Sequence, residues 1–278
     1  MTIARRNSPK IEVNWRSPLA EGLQFLIVPF GGGMVDLVSG TFGDAQGAAG
    51  GFQPVAGPVG DVIGSQLASS TSDSWTWEQD DRYQIIQDLT LFWAGVIDTG
   101  SAYRHLASNH ASSGGTANPF SAYGDNSANP LFAVVRSDAS AFRTWTSNVA
   151  FSLAVYQSAF FSQTTSLVTT PLGYVNGSAV TMTGSGGTPA AWATASADKL
   201  RVGRRADGAV TMNGTTHIVA GWNIARDAQD GIALHTEWPT LIRRVRRSWD
   251  VPAAAAGGTF QRITGDRFAL AGRGGLAG

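Results

Sequence analysis

The carboxylates are the side chains of this chain that could carry out hydrolysis, because cleavage of a glycosidic bond needs two of them facing one bond. The 278 residues include only four glutamates, Glu12, Glu21, Glu78 and Glu237. Glu78 is followed closely by Asp80 and Asp81, which gives the nearest cluster of carboxylates. A charged turn between two strands explains this cluster more simply. We therefore predict no catalytic residue, with hydrolysis by Glu78 and Asp80 as the alternative.

Metal binding is the second chemistry that the residue types allow. The chain has no cysteine, and its histidines at positions 105, 110, 217 and 235 lack the spacing of a zinc site. Calcium prefers oxygen ligands, and the candidate ligands are the loop residues Asp36, Asp44 and Asp125. Loop aspartates also cap turns, and this is the alternative for each of them. We predict no other cofactor.

Tryptophan rings could provide platforms for a sugar, because ligand sites combine aromatic faces with a few hydrogen-bonding groups. Of the nine tryptophans, the candidates are Trp75, Trp77, Trp145 and Trp192. Trp75 and Trp77 are two residues apart and share one face of a predicted strand. Packing in the hydrophobic core is the alternative for each ring.

The elements that must position these residues are mainly strands. The chain has 34 glycines but only four glutamates and two lysines, so turn-rich β-structure is favoured over helices. Residues 89–97 form the most β-like run and predict a central buried strand. Short apolar runs then recur about every ten residues, which is typical of a β-sandwich. Residues 41–60 are rich in glycine and predict a long loop with one strand at most.

The C-terminal half carries the clearest local signals. Asn176-Gly177 lies between two short apolar runs and predicts a tight β-hairpin, and the alternation over residues 200–202 predicts a half-buried strand. A short helix is expected after residue 223, with residues 226–230 on its exposed side. Its predicted buried face contains Ile224, Ala228, Ile232 and Ala233.

The order of these parts resembles the C-terminal half of a laminin G-like domain of the concanavalin A-like lectin/glucanase superfamily. Tyr174–Gly177 matches the Tyr-Val-Asn-Gly hairpin of that family, Leu200–Gly203 its Leu-x-x-Gly strand, and Val219–Ile224 its Val-x-x-Trp-Asn strand. Gly22-Leu23 and the Asp36–Gly40 turn match the opening pattern of the same family.

This resemblance implies an all-β fold, an antiparallel two-sheet jelly-roll sandwich over residues 18–242 with one short C-terminal helix. Residues 1–17 are then an N-terminal arm and residues 243–278 a basic C-terminal tail. It also implies a lectin-like sugar site and a calcium ion. Glucanases of the superfamily carry a Glu-x-Asp-x-x-Glu motif, and that motif is absent from the sequence.

The two ends are basic although the net charge of the chain is zero. Residues 239–278 contain seven arginines and two aspartates. Basic ends favour contact with an acidic surface, and because no nucleic-acid-binding motif accompanies them, we expect contact with proteins rather than nucleic acid. The predicted assembly contacts are Arg5, Arg6, Trp15, Arg243, Arg244, Arg246, Arg247, Phe260 and Phe268. For residues 11–15, a first strand of the same domain is the alternative.

The Pro-Leu-Ala-x-Gly-Leu run at residues 18–23 resembles proteins encoded among the virion genes of tailed bacteriophages. This resemblance implies a non-enzymatic structural protein of the capsid surface or the tail, bound to other virion proteins, homo-oligomeric, and able to adhere to a host surface glycan. A polysaccharide-binding lectin or a glycoside hydrolase is the alternative. We expect synthesis in the host cytoplasm and location in the virion, since neither a signal peptide nor a membrane span is apparent.

Overall fold

A computed structural model describes residues 10–30, 32–47, 51–57, 60–67, 73–98, 104–109, 118–125, 131–137, 141–166, 169–187, 199–204 and 212–245. Strands β1 to β10 are Lys10–Val13, Leu23–Phe30, Gly33–Asp36, Thr41–Phe42, Asp44–Gln46, Gly51–Gly57, Gly60–Leu67, Ser74–Trp77, Leu89–Ile97 and Arg104–Asn109. Strands β11 to β20 are Asn118–Asp125, Leu131–Ser137, Phe142–Ala150, Tyr156–Gln163, Leu172–Val175, Ser178–Val180, Met182–Gly186, Leu200–Val202, Gly214–Trp222 and Ile242–Val245. Helix α1 spans Ala228–Glu237, and short 3₁₀ helices span Pro18–Ala20, Asp81–Tyr83 and Trp238–Leu241.

Two antiparallel sheets contain every described strand except β1 and β20, which pair with each other. The first sheet has eight strands in the order β17-β13-β12-β11-β10-β18-β8-β5. The second has ten, in the order β16-β15-β14-β9-β19-β2-β3-β4, with the β6–β7 hairpin also joined to β19. The predicted all-β jelly-roll sandwich with one short C-terminal helix is therefore confirmed.

The ten-stranded sheet is buried on both faces. On its inner face, Trp93 packs in one hydrophobic cluster with Phe132 of the eight-stranded sheet. On its outer face, Phe92 and Trp222 pack with Leu234 of α1 in a second cluster. Because both faces are covered, all nine residues of β9 are buried, and this explains the continuous apolar run that predicted a central strand. No helix in the described part of the chain is long and apolar enough to cross a membrane.

The predicted hairpin is confirmed, whereas the predicted loop is wrong. Asn176 and Gly177 form the turn between β15 and β16 with φ angles of 52° and 70°, as the sequence predicts. Residues 200–202 form the predicted half-buried strand. The loop predicted for residues 41–60 is wrong, because that segment contains β4, β5, β6 and the start of β7. These strands are short or rich in glycine, so they lack the apolar alternation that marks a strand in sequence.

The buried face predicted for α1 is confirmed only in part, because Ile224 and Ala228 pack against the outer cluster but Ile232 does not. Ile232 is 48% exposed, while Gly231 and Leu234 are buried. Asp227 caps the helix through its side chain, so the helix begins only at Ala228. A Cβ atom on Gly231 would lie 2.8 Å from the ring of Tyr174. The helix therefore packs through a glycine, which a hydrophobic pattern cannot reveal.

Arg226 precedes the helix and is buried, whereas the sequence placed it on an exposed face. Its Nη2 donates to the carbonyl oxygens of Leu19 at 2.8 Å and Glu21 at 2.6 Å, and its Nη1 to Asp230 Oδ2 at 2.9 Å. Trp222 Nε1 donates to the same Leu19 carbonyl at 2.8 Å. These bonds join the first 3₁₀ helix to the end of β19 and the start of α1.

The two predicted ends of the domain meet in the β1–β20 pair. Lys10 lies opposite Val245, and Glu12 forms an ion pair with its register partner Arg243. Val13 is 1% exposed. Residues 10–13 and 242–245 thus pair with each other as two strands. These parts of the predicted arm and tail belong to the domain itself.

The other predicted assembly residues have the following positions. Trp15 is exposed in the turn after β1. Arg5, Arg6, Arg246, Arg247, Phe260, Phe268 and the side chain of Arg244 lie outside the described residues.

Asp36 at the end of β3 organises the turn that follows it. The fully buried carboxylate accepts hydrogen bonds from the backbone N–H of Leu26 and Val38, both at 3.0 Å. It also accepts from Ser39 Oγ at 2.8 Å and from Tyr83 Oη at 3.0 Å. The candidate calcium role of Asp36 is therefore wrong, because its oxygens are used by four donors of the protein. The alternative, a turn cap, is confirmed.

We expect Asp36→Ala to lower the free energy of unfolding by about 3 kcal/mol or more, because it leaves buried donors without an acceptor at about 1–3 kcal/mol each. Asp44→Ala is the matched control, since Asp44 is exposed on β5 and its loss should change stability by less than about 0.5 kcal/mol. Urea denaturation of both variants measures the difference. Equal stabilities would show that the Asp36 hydrogen bonds do not hold the fold.

Candidate functional site

A cleft of about 280 Å³ opens at the edge of the sandwich, where the chain crosses from one sheet to the other. Gly43 is the only residue between β4, at the end of the ten-stranded sheet, and β5, at the end of the eight-stranded sheet. Lining residues come from segments 41–44, 76–80 and 82–83. We call this site the edge cleft.

Trp77 lines the inner part of the edge cleft. Its Nε1 donates to the carbonyl oxygen of Thr41 at 3.3 Å, which ties β8 to β4 in the other sheet. A Cβ atom on Gly43 would lie 2.7 Å from Trp77 Cζ2. The indole therefore packs directly on the backbone of the crossing residue, and only glycine leaves room for it there.

Phe42 supplies an exposed aromatic ring at the same site. It is 56% exposed, although it is a large apolar side chain in a short strand. A Cβ atom on Gly33 would lie 3.0 Å from Phe42 Cδ1, so the ring lies close against the neighbouring strand. This contact supports the ring while more than half of its surface remains open to solvent.

Arg82 and Asp80 form a two-bond ion pair in the wall of the edge cleft. Arg82 Nε donates to Asp80 Oδ1 at 2.9 Å, and Nη2 donates to Oδ2 at 2.6 Å. Hydrogen bonding by Arg82 lowers the pKa of Asp80 to about 2. Asp80 also caps the 3₁₀ helix by accepting from Arg82 N at 3.0 Å. The guanidinium is thus held in place and its charge is already matched.

The remaining charges give the edge cleft a negative character. Glu78 pairs with Lys199 at 2.5 Å, and both side chains are exposed. Asp44 adds an exposed carboxylate on β5. The lining therefore contains three carboxylates and one guanidinium, and Lys199 offsets only one of the carboxylates.

The candidate tryptophans do not provide exposed platforms in the part of the chain that the structure describes. Trp75, Trp77 and Trp145 are 4%, 3% and 2% exposed and belong to the cluster between the sheets. The guanidinium of Arg143 also covers the ring of Trp145, with 4.9 Å between Cζ and the ring centroid. A ring with so little open surface cannot stack on a sugar, so the platform role is wrong for these three. Trp192 lies outside the described residues.

The candidate calcium ligands do not form a metal site among the described residues. No group of three or more His, Cys, Asp or Glu side chains is placed there to hold a metal ion. Asp44 lies on β5 in the edge cleft, while Asp125 ends β11, with its side chain outside the description.

The structure brings together several residues that sequence analysis considered separately. Trp77, Asp44 and the Glu78–Asp80 cluster all line the edge cleft. Phe42 and Arg82 were not predicted as site residues. An isolated phenylalanine in a glycine-rich segment gives no sign of exposure, and Arg82 gains its position from the 3₁₀ helix. With one open ring and several hydrogen-bonding groups, the arrangement can bind a small polar ligand.

No protein-family model matches the sequence, and no curated protein sequence matches it. Solved structures do share its fold. The binding domain of botulinum neurotoxin DC in complex with SialylT matches with a TM-score of 0.54 at 11% identity, over 78% of this chain and 52% of that chain. The same domain in complex with rat synaptotagmin II matches with a TM-score of 0.53 at 10% identity, over the same shares.

Trypanosoma rangeli sialidase in complex with the inhibitor DANA has a TM-score of 0.51 at 12% identity, over 78% of this chain and 33% of that chain. This chain therefore spans about half of the botulinum chain and a third of the sialidase chain. At such low identities the likeness shows the fold alone. That shared fold is the antiparallel two-sheet jelly-roll sandwich described above.

Proposed function

We propose that this domain is a non-catalytic carbohydrate-binding module and that its sugar site is the edge cleft. The observation that carries the proposal is the half-exposed Phe42 ring beside the hydrogen-bonding groups of the same cleft. The C–H face of a sugar ring can stack on Phe42. Its hydroxyl groups can donate to Asp44 and Glu78 and bond with Gln79. The inhibitor DANA is a ligand of the Trypanosoma rangeli sialidase.

The charges of the edge cleft favour an uncharged sugar. Carboxylates outnumber cations in the lining, so a carboxylated or sulfated sugar would meet a site of its own sign. Arg82, the one cation among the described lining residues, already donates two hydrogen bonds to Asp80. At anion sites, arginine usually binds a ligand carboxylate through two hydrogen bonds. Arg82 could do this only by breaking its contact with Asp80.

The same charges support a binding role without catalysis. A glycosidase needs a protonated carboxyl group with a raised pKa to act as general acid. The pKa of Asp80 is lowered to about 2, so this group is ionised at neutral pH. Glu78 is engaged by Lys199. The ionised Asp80 and the Glu78–Lys199 ion pair both support binding rather than hydrolysis.

We expect Phe42→Ala to weaken binding of neutral glycans about two- to thirteenfold, because aromatic contacts contribute about 0.5–1.5 kcal/mol. Phe142→Ala is the matched control, since this ring is also 56% exposed but belongs to β13 of the eight-stranded sheet, near the edge opposite to β5. A printed glycan array that pairs neutral glycans with their sialylated forms selects the ligand, and calorimetry measures its affinity. The neutral form should bind better.

Equal affinities of the two phenylalanine variants would place the sugar site elsewhere. Binding of no glycan on the array would contradict the proposed function.

The rival hydrolase makes the opposite prediction for activity. We expect the wild-type protein to release no reducing sugar from a panel of plant, bacterial and animal polysaccharides. If sugar is released and Glu78→Gln abolishes the release, the domain is a glycosidase that uses the edge cleft. Reducing-end assays on both proteins make this comparison.

We further propose that the module is attached to a phage particle as a capsid-decorating or tail protein. The supporting observation is that Lys10 pairs with Val245, so that both basic ends begin at one small area of the domain. An anchor with cations from both ends would suit an acidic protein surface. The edge cleft, on separate strands, would then remain available for a host glycan.

Mass spectrometry of purified particles should detect the protein, and its absence would contradict the virion role. Deletion of residues 246–278 should abolish incorporation and leave glycan binding intact, since the deletion stops short of β20. Deletion of residues 1–9 leaves β1 in place and removes two arginines instead of five, so it should reduce incorporation less. Full incorporation of both truncated proteins would show that the basic ends are not the anchor.

A further inference from the structure

A second cleft, of about 240 Å³, lies on the other side of Arg82. Its lining includes Arg82 and Asp81 of the 3₁₀ helix, residues 84–87 that follow it, Gln24 of β2 and Asn223 after β19. Arg82 lines both cavities, so they meet at this residue. We call this second cavity the amide cleft.

The chemistry of the amide cleft differs from that of the edge cleft. Four of its lining side chains are amides, namely Gln24, Gln84, Gln87 and Asn223. An amide offers both donors and acceptors, which matches the mixed hydrogen bonding of sugar hydroxyls and carries no charge preference. Ile86 is 38% exposed beside these amides and adds an apolar surface. The combination suits an uncharged hydroxylated ring.

A buried arginine fixes the segment that forms this cleft. Arg136 of β12 is 0% exposed, and its Nη2 donates to the carbonyl oxygens of Ile85 at 3.0 Å and Gln87 at 3.1 Å. The segment after the 3₁₀ helix is therefore held from inside the sandwich. Its side chains are positioned before a ligand arrives, which limits the entropy lost on binding.

We propose that the amide cleft is a second sugar subsite, so that the protein takes an uncharged oligosaccharide lying across Arg82. This inference rests on the proposed function of the edge cleft and extends it from one sugar ring to a chain of sugars. Segment 76–87 lines both cavities in turn, with Arg82 at their boundary. The structure assigns stacking to the edge cleft and amide hydrogen bonding to the second subsite.

Calorimetry with neutral oligosaccharides of one to six residues, from the glucan, mannan and galactan series, tests this inference. In the series that binds, wild-type affinity should rise about tenfold from the disaccharide to longer chains. The double variant Gln87→Ala/Asn223→Ala should remove that rise and leave disaccharide affinity within twofold. Both residues are exposed, so the variant should fold. Gln229→Ala, an exposed amide on α1, is the matched control.

The possible failures are distinguishable. If affinity does not rise with length, or the rise persists in the double variant, the second subsite is wrong. The proposed function still stands in that case, provided that Phe42→Ala weakens disaccharide binding. If no oligosaccharide binds the wild-type protein, the proposed function fails and the second subsite fails with it.

Discussion

A buried carboxylate connects the interior of this sandwich with its candidate binding surface. Asp36 has no contact with solvent and is tolerated there because two backbone N–H groups and two hydroxyls donate to it. One of those hydroxyls belongs to Tyr83, 47 residues further along the chain. Tyr83 ends the 3₁₀ helix that also contains Arg82, which lines both clefts. The interior hydrogen bond of Tyr83 thus fixes one end of the helix that carries this surface arginine.

Local signals in the sequence predicted the sandwich, but they missed the strands in residues 41–60 and did not predict the site. The Asn176-Gly177 turn and the β9 run depend on backbone angle and burial, which residue types report directly. The edge cleft depends on a crossing between sheets through Gly43, and nothing local distinguishes this glycine from its neighbours. Trp77 was considered as an exposed platform, but its ring is buried in the cluster between the sheets. The pairing of distant strands therefore leaves Phe42, and not Trp77, exposed at this site.

Edge strands explain why polar groups and an open ring gather at this corner. The last strand of a sheet has unpaired backbone groups that could join another molecule, and charged side chains or short strands prevent this. β4 has two residues and β5 has three, and Asp44 places a carboxylate on the latter. The same features leave a ligand room to approach from the side of the sandwich. The same residues can therefore protect the sheet edge and form a polar binding surface.

The β1–β20 pair has a mechanical consequence. Because Lys10 and Val245 are register partners at one end of an antiparallel pair, a tensile load applied through both ends of the chain pulls these strands apart sideways. In this geometry the hydrogen bonds between the two strands break one after another. Under a shear load they would share the force. The bonds of Asn14 to the carbonyl oxygens of Leu241 and Thr240 come next along the load path. This four-residue pair can therefore yield at low force while the two large sheets remain intact.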